Sequence, residues 1–442
     1  MRYALITSTA AAVLSCSHVV LAGNPAHEAY LELECCFFVV HLAAPSISRA
    51  PAPQHMTATD PSIPSLDHIT MGGPVQSPVH LTTTYAAGAT APLKGARTLP
   101  SKMIVASRYP PIDKVPPTDS PEVQDWIAEV MANNPSIPLI PQTKDGSCAS
   151  DPELAKQGSA AGNCWWTCGG CTRPTDITVC PDKMSWGLTY DDGPSPYTPK
   201  LLHYLDEHQL NATFYVVGSR VISRPEIVQY EYMKGHEVVI RAYMVALPTY
   251  LSHQRANYRR AWVDPKGDSR CDRVSPLTMR PPYGDIDDRV RAIAMAMDLT
   301  PVIWTGVGKD EFDTSDWRIP GGTSNGTYSY SAFNKILENA TTLDTGFIVL
   351  QHDLYQETVD LAVGYILPDA LAHQPKFTLS SVSHCLHQPL EDAYIETNTN
   401  ETIRTTAGGG IGLRNSGFRA SAPIGFAGAL VGMVGVLAVL FA

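Results

Sequence analysis

Between residues 184 and 351 the chain alternates short apolar runs with helix-period segments, and this alternation restricts the fold more than any other feature. Residues 186–190 read as a buried strand running into acidic residues, 197–209 as a helix, and 212–217 (Ala-Thr-Phe-Tyr-Val-Val) as a second strand. A helix over 222–234 follows, closed by Gly235 where a left-handed backbone is favoured. The pattern resumes with a helix over 289–297, a strand over 301–304, a helix over 331–340 and a strand over 346–351. Strands separated by helices pair in parallel. The expectation is an α/β fold, a barrel or a doubly wound sheet, whose chemistry sits at strand ends.

The flanks differ. Residues 23–147 are rich in Pro, Ser, Thr and Ala and read as a pro-segment or linker, with one helical patch at 121–131. Residues 148–180 form a cysteine-rich collar in which Trp165-Trp166 either stacks on sugar rings or, more in keeping with its setting, packs against disulfides. Residues 376–416 read as a Thr/Gly-rich tail. At the start, Arg2 and an apolar stretch to Leu14 make 1–22 a secretory signal. At the end, small residues around Asn415 or Ser416, a spacer and an apolar run make 417–442 a GPI-attachment signal, with Asn415 or Ser416 as the attachment site. The expected location is secreted, held at the plasma membrane and cell wall.

Cys148, Cys164, Cys168, Cys171, Cys180 and Cys385 form an even set suited to disulfides of an exported protein, with connectivity left open. A zinc knuckle from Cys164, Cys168 and Cys171 is the weaker reading, for want of a fourth ligand. Sequons at Asn211, Asn325, Asn339 and Asn400 permit N-glycans. A formal net charge of -11 argues against a nucleic-acid partner, which calls for clustered Lys and Arg.

Four segments stand at expected strand ends: Thr189-Tyr190-Asp191-Asp192-Gly193-Pro194, Arg280-Pro281-Pro282-Tyr283-Gly284, Asp313-Thr314-Ser315-Asp316-Trp317 and Leu350-Gln351-His352-Asp353. Adjacent side chains of an extended segment point apart, so Asp191 and Asp192 can serve different partners. A histidine suits proton delivery near neutral pH.

Together and in this order the segments resemble the polysaccharide deacetylase (NodB-homology, carbohydrate esterase family 4) domain, most closely that of fungal chitin deacetylases, over roughly 183–375, with 181–375 taken as the domain. The resemblance implies a distorted (β/α) barrel of NodB type and a metal-dependent hydrolase that removes N-acetyl groups from chitin. It makes Asp191 the general base, Asp192 a ligand of a divalent metal (zinc or cobalt) and His352 the general acid. It also makes Arg280 the residue orienting the base and Tyr283, after Pro282, the donor of an oxyanion-stabilising backbone amide. Asp316 then tunes the acid and Trp317 walls the acetyl pocket. The implied partner is chitin or another N-acetylglucosamine polymer; oligomeric state is open.

One part of the pattern is broken. The family's metal also takes two histidines, expected here at Ala242 and Ala246, whereas Gly235-His236-Glu237-Val238-Val239-Ile240 runs into Arg241-Ala242-Tyr243-Met244-Val245-Ala246. His236 and His253 lack the spacing to replace them. With suitable codons, reading from Arg241 one nucleotide later gives Glu-His-Thr-Trp-Ser-His. Met244 before Val245 forces the Trp codon in that frame. A compensated frameshift near 239–273 is therefore expected, with Cys271 as its by-product. The alternative is a catalytically impaired relative that still binds chitin.

Overall fold

The computed structural model describes residues 58, 60–96, 98–99, 112–114, 121–134, 136–141, 143–144, 146–159, 162–241 and 275–399. Its centre is a set of short strands: β1 (Ser185–Gly187), β2 (Thr189–Asp191), β3 (Thr213–Val216), β4 (Glu237–Arg241), β5 (Thr278–Arg280), β6 (Thr300–Pro301), the antiparallel pair β7 (Gly306–Val307) and β8 (Asp310–Glu311), β9 (Phe347–Ile348) and β10 (Thr378–Ser380). Strands β2-β3-β4-β5-β6 form one parallel sheet and β10-β1-β9 another. The two sheets meet twice. Asp191 bridges to His352 in parallel, and the Thr305 N–H donates to the Ile348 carbonyl at 3.0 Å, so the strands run round a distorted barrel.

Residues 186–190, expected as one strand, divide at Leu188: β1 pairs with β9 and β10, β2 with β3. The helix expected over 222–234 likewise comes as Gly218–Ser223 and Pro225–Met233. Proline lacks an N–H and disfavours helical backbone in the residue before it; Arg224 accordingly sits at φ −141°, ψ 57°. Other helices fall where periodicity places them, at Thr198–Glu207, Asp288–Ala296 and Gly326–Thr342.

The core is aromatic at its base. Trp186 lies 5.3 Å from Phe347 and 5.9 Å from Phe333, centroid to centroid, and is fully buried. Burying such side chains contributes about 1.5–3 kcal/mol each.

Two boundaries move. The segment read as a linker is in part a strap on the core: Ile63, Ile69, Ala91, Leu93 and Leu99 are buried in the main hydrophobic cluster. Gln76 and Lys200 both reach Asp360, at 2.8 and 2.7 Å. The low helical periodicity that suggested a linker reflects turns that bury scattered apolar residues instead of a stripe. The tail expected from 376 is also folded through 399: β10 pairs with β1 along its length, and Tyr394 is buried. The expected signal, the attachment signal with Asn415 and Ser416, the sequon at Asn400 and positions 242–273 lie outside the described residues.

Disulfides join Cys148 to Cys168, Cys164 to Cys171 and Cys180 to Cys385. Trp165, next to Cys164 in the chain, is buried. No helix among the described residues is long and apolar enough to cross a membrane.

Candidate active site

Strand ends on one face of the barrel deliver the ionisable groups, Asp191 from β2, Arg241 from β4 and Arg280 from β5, with His352 just beyond β9. Asp191 is completely buried, and its Oδ1 accepts from Arg280 Nη1 at 2.8 Å. The same nitrogen donates to Thr189 Oγ1 at 2.9 Å, and the guanidinium lies 4.1 Å above the Tyr215 ring. A charge-assisted bond from so constrained a donor holds the carboxylate in one orientation. Asp192 follows at φ 74°, a turn that sends its side chain into a cleft.

Across that cleft, His352 Nδ1 pairs with Asp316 Oδ1, leaving Nε2 turned toward Asp192 Oδ2 at 3.9 Å. Burial pulls the imidazole pKa down, but Asp316, with Asp192 and Asp191 behind it, outweighs this and raises it to about 9. The ring therefore carries a proton at neutral pH. Tyr283, 70% exposed, and Trp317, 51% exposed, face the cleft beside Pro282. The cleft has a volume of about 610 Å³ and takes Trp166 and Trp304 as further walls.

Sequence reasoning gave no role to three contributors and ranked the cleft position of a fourth second. Arg241 pairs through Nε with Asp192 Oδ1 at 2.7 Å and through Nη1 with Asp191 Oδ2. Asp313, part of a noted motif, accepts from Trp317 Nε1 at 3.2 Å, and burial raises its pKa to about 6. Asp353 sits below the Asp191-Asp192 turn: a Cβ on Gly193 would lie 2.2 Å from its Oδ2, so only glycine fits there. Burial raises Asp353 to about 7. Trp166 belongs to the collar and lines the cleft, a position that fits the sugar-stacking alternative for the tryptophan pair and not the preferred packing one.

Among the described residues no group of three or more His, Cys, Asp or Glu is placed to hold a metal ion. Asp192, the one expected ligand present, is paired with Arg241. The described residues thus do not fit the implied metal, and Ala242 and Ala246 are not among them.

A family model described as polysaccharide deacetylase matches residues 178–302. Chitin deacetylase 1 of Cryptococcus neoformans var. grubii is 49% identical over 352 residues, covering 77% of this chain and 72% of that protein. The chain belongs to the polysaccharide deacetylase family. A more distant member, chitin deacetylase of Amylomyces rouxii, is 32% identical over 253 residues, 55% of this chain and 58% of that one. The solved chitin deacetylase of Colletotrichum lindemuthianum is 27% identical, covers 50% of this chain and 95% of its own, and superposes with a TM-score of 0.41. Among the sequence motifs of this polysaccharide deacetylase, those around Asp191 and Arg280 fall inside the matched region and those around Asp316 and His352 beyond it.

Proposed function

We propose that this protein hydrolyses the N-acetyl groups of chitin, leaving chitosan and acetate. The observation that carries the reading is a pair of ion pairs beside one cleft: Asp191, fully buried behind the cleft-lining Asp192, held by Arg280, and the cleft-lining His352 held by Asp316. Asp191 is the base that takes a proton from the attacking water; its Oδ2, which Arg280 does not bind, is engaged by Arg241 in this chain and would have to be uncovered for that step. Developing charge on the acetamide oxygen is met by the Tyr283 backbone N–H. His352, protonated at neutral pH, hands a proton to the departing amine. Trp317 confines the acetyl methyl.

Zinc or cobalt is the ion this reading expects, supplied with ligands by the frame that places two histidines after β4. A chain carrying Arg241 instead covers both Asp191 Oδ2 and Asp192 with a guanidinium. Export with a GPI anchor at Asn415 or Ser416, glycans on the sequons and residence in the cell wall complete the proposal. Release from membranes by a phosphatidylinositol-specific phospholipase tests the anchor.

The test of the chemistry is acetate release from N-acetylglucosamine oligomers. Asp191→Asn lowers the rate by at least about 100-fold, and leaving two guanidiniums without their carboxylate costs about 3 kcal/mol of stability. Activity equal to the parent would remove Asp191 as base, and a preference for acetylated xylan would remove chitin as substrate.

A further inference from the structure

We infer that Asp285, gripped by the disulfide-bonded collar, is a positioning residue that holds the Tyr283 turn in its reactive conformation. The inference rests on the reading above, in which the Tyr283 backbone N–H meets the oxyanion.

Tyr283 has φ 59°, ψ 11°, an unfavourable backbone for a residue with a Cβ. Its side chain is largely exposed, so burial of the ring does not impose that conformation. Gly284 continues the turn at φ +68°, where a Cβ would lie 2.4 Å from Trp166 Cζ3 and 2.7 Å from Trp304 Cη2. Gly284 adopts this backbone without steric cost, so the strain sits at Tyr283, and the collar supplies contacts that restrain the turn.

Asp285 is 4% exposed. Its Oδ1 accepts from Thr167 Oγ1 at 2.7 Å and from Trp165 Nε1. Between these two, the Trp166 N–H donates to the Ile286 carbonyl at 2.9 Å. Three consecutive collar residues therefore hold two consecutive residues of the turn. The collar is itself pinned: Cys164–Cys171 and Cys148–Cys168 start and end the 165–167 stretch, and Arg291 Nη1 donates to the Cys164 carbonyl at 2.6 Å. An element outside the strand-end motifs thus governs the aim of an amide inside them.

The experiment compares the full-length parent with Asp285→Ala, Asp285→Asn and the milder Thr167→Val, by backbone hydrogen exchange over 281–287 and by acetate release from an N-acetylglucosamine oligomer. Oxyanion stabilisation belongs to the transition state, so Asp285→Ala lowers kcat by about 10- to 100-fold with KM within about twofold. Exchange over 281–287 speeds up about tenfold or more as the turn opens. Asp285→Asn keeps an accepting oxygen and recovers most of both losses; Thr167→Val shows the same changes in smaller measure. Unchanged exchange in Asp285→Ala and Thr167→Val overturns the grip. Faster exchange with unaltered kcat, or equal loss in the Asn and Ala variants, overturns the positioning role. A parent that folds but releases no acetate defeats the functional reading instead, and the exchange comparison still decides the grip.

Discussion

His352 and Asp316 are joined twice: the carboxylate accepts from the ring Nδ1 at 2.8 Å and, through its other oxygen, from the His352 backbone N–H at 2.9 Å. One carboxylate thereby sets both the charge and the direction of the imidazole. The folded ring keeps its proton to about pH 9, against 6.5 for a free one. Any stability the pair contributes is complete below about pH 6.5 and lost as pH rises through about 9. The rate of acetate release should fall over the same alkaline limb. Asp316→Asn moves that limb toward pH 6.5, visible in a kcat–pH profile; an unmoved limb rules out His352 as the acid.

Arg241 would distinguish this chain from one encoded in the shifted frame. The transcript across residues 235–279 is expected to encode the His-Thr-Trp-Ser-His frame, and a cDNA with Arg241 to Ala246 in frame refutes the shift. Calorimetric zinc titration of both proteins should give tight binding only with the histidines, since a catalytic zinc takes about three protein ligands.

The Cys180–Cys385 disulfide closes a loop across 205 residues. It ties the approach to β1 to the short helix after β10. Cys180→Ser with Cys385→Ser should cost about 2–5 kcal/mol in denaturant unfolding. A loss under about 1 kcal/mol would mean the barrel closes equally well without it.

The strap makes a prediction that a linker does not. Ile63 packs on Gly364, where a Cβ would lie 2.8 Å from its Cγ2. Ile63→Ala should destabilise the whole domain by about 2–4 kcal/mol, measured as a lower midpoint in urea; a linker residue would show no change.

The parts of the fold that were legible in the sequence have local periodicity. Strand-helix alternation exposed the parallel sheet, and the four strand-end motifs carry Asp191, Arg280, Asp316 and His352. The strap was hidden because Ile63, Ile69 and Leu93 are spaced by turns, with no repeat of 2 or 3.6. β10 was hidden because a three-residue strand such as Thr-Leu-Ser carries almost no pattern. Asp285 and Asp353 were hidden for another reason: each acts across a long sequence gap, on Trp165 or on Gly193, and such pairs have no signature along the chain.

The ion pair between Arg220 and Asp113, 2.7 Å at its closest, places residues far upstream of the family-matched region on the rim of the cleft, with Lys114 beside them. Together with the strap and the collar, it makes the minimal autonomous folding piece much larger than residues 178–302. Recombinant versions trimmed to the signature would lose a rim, all three cystines and part of the apolar interior, and inactivity in them would say nothing about the parent enzyme.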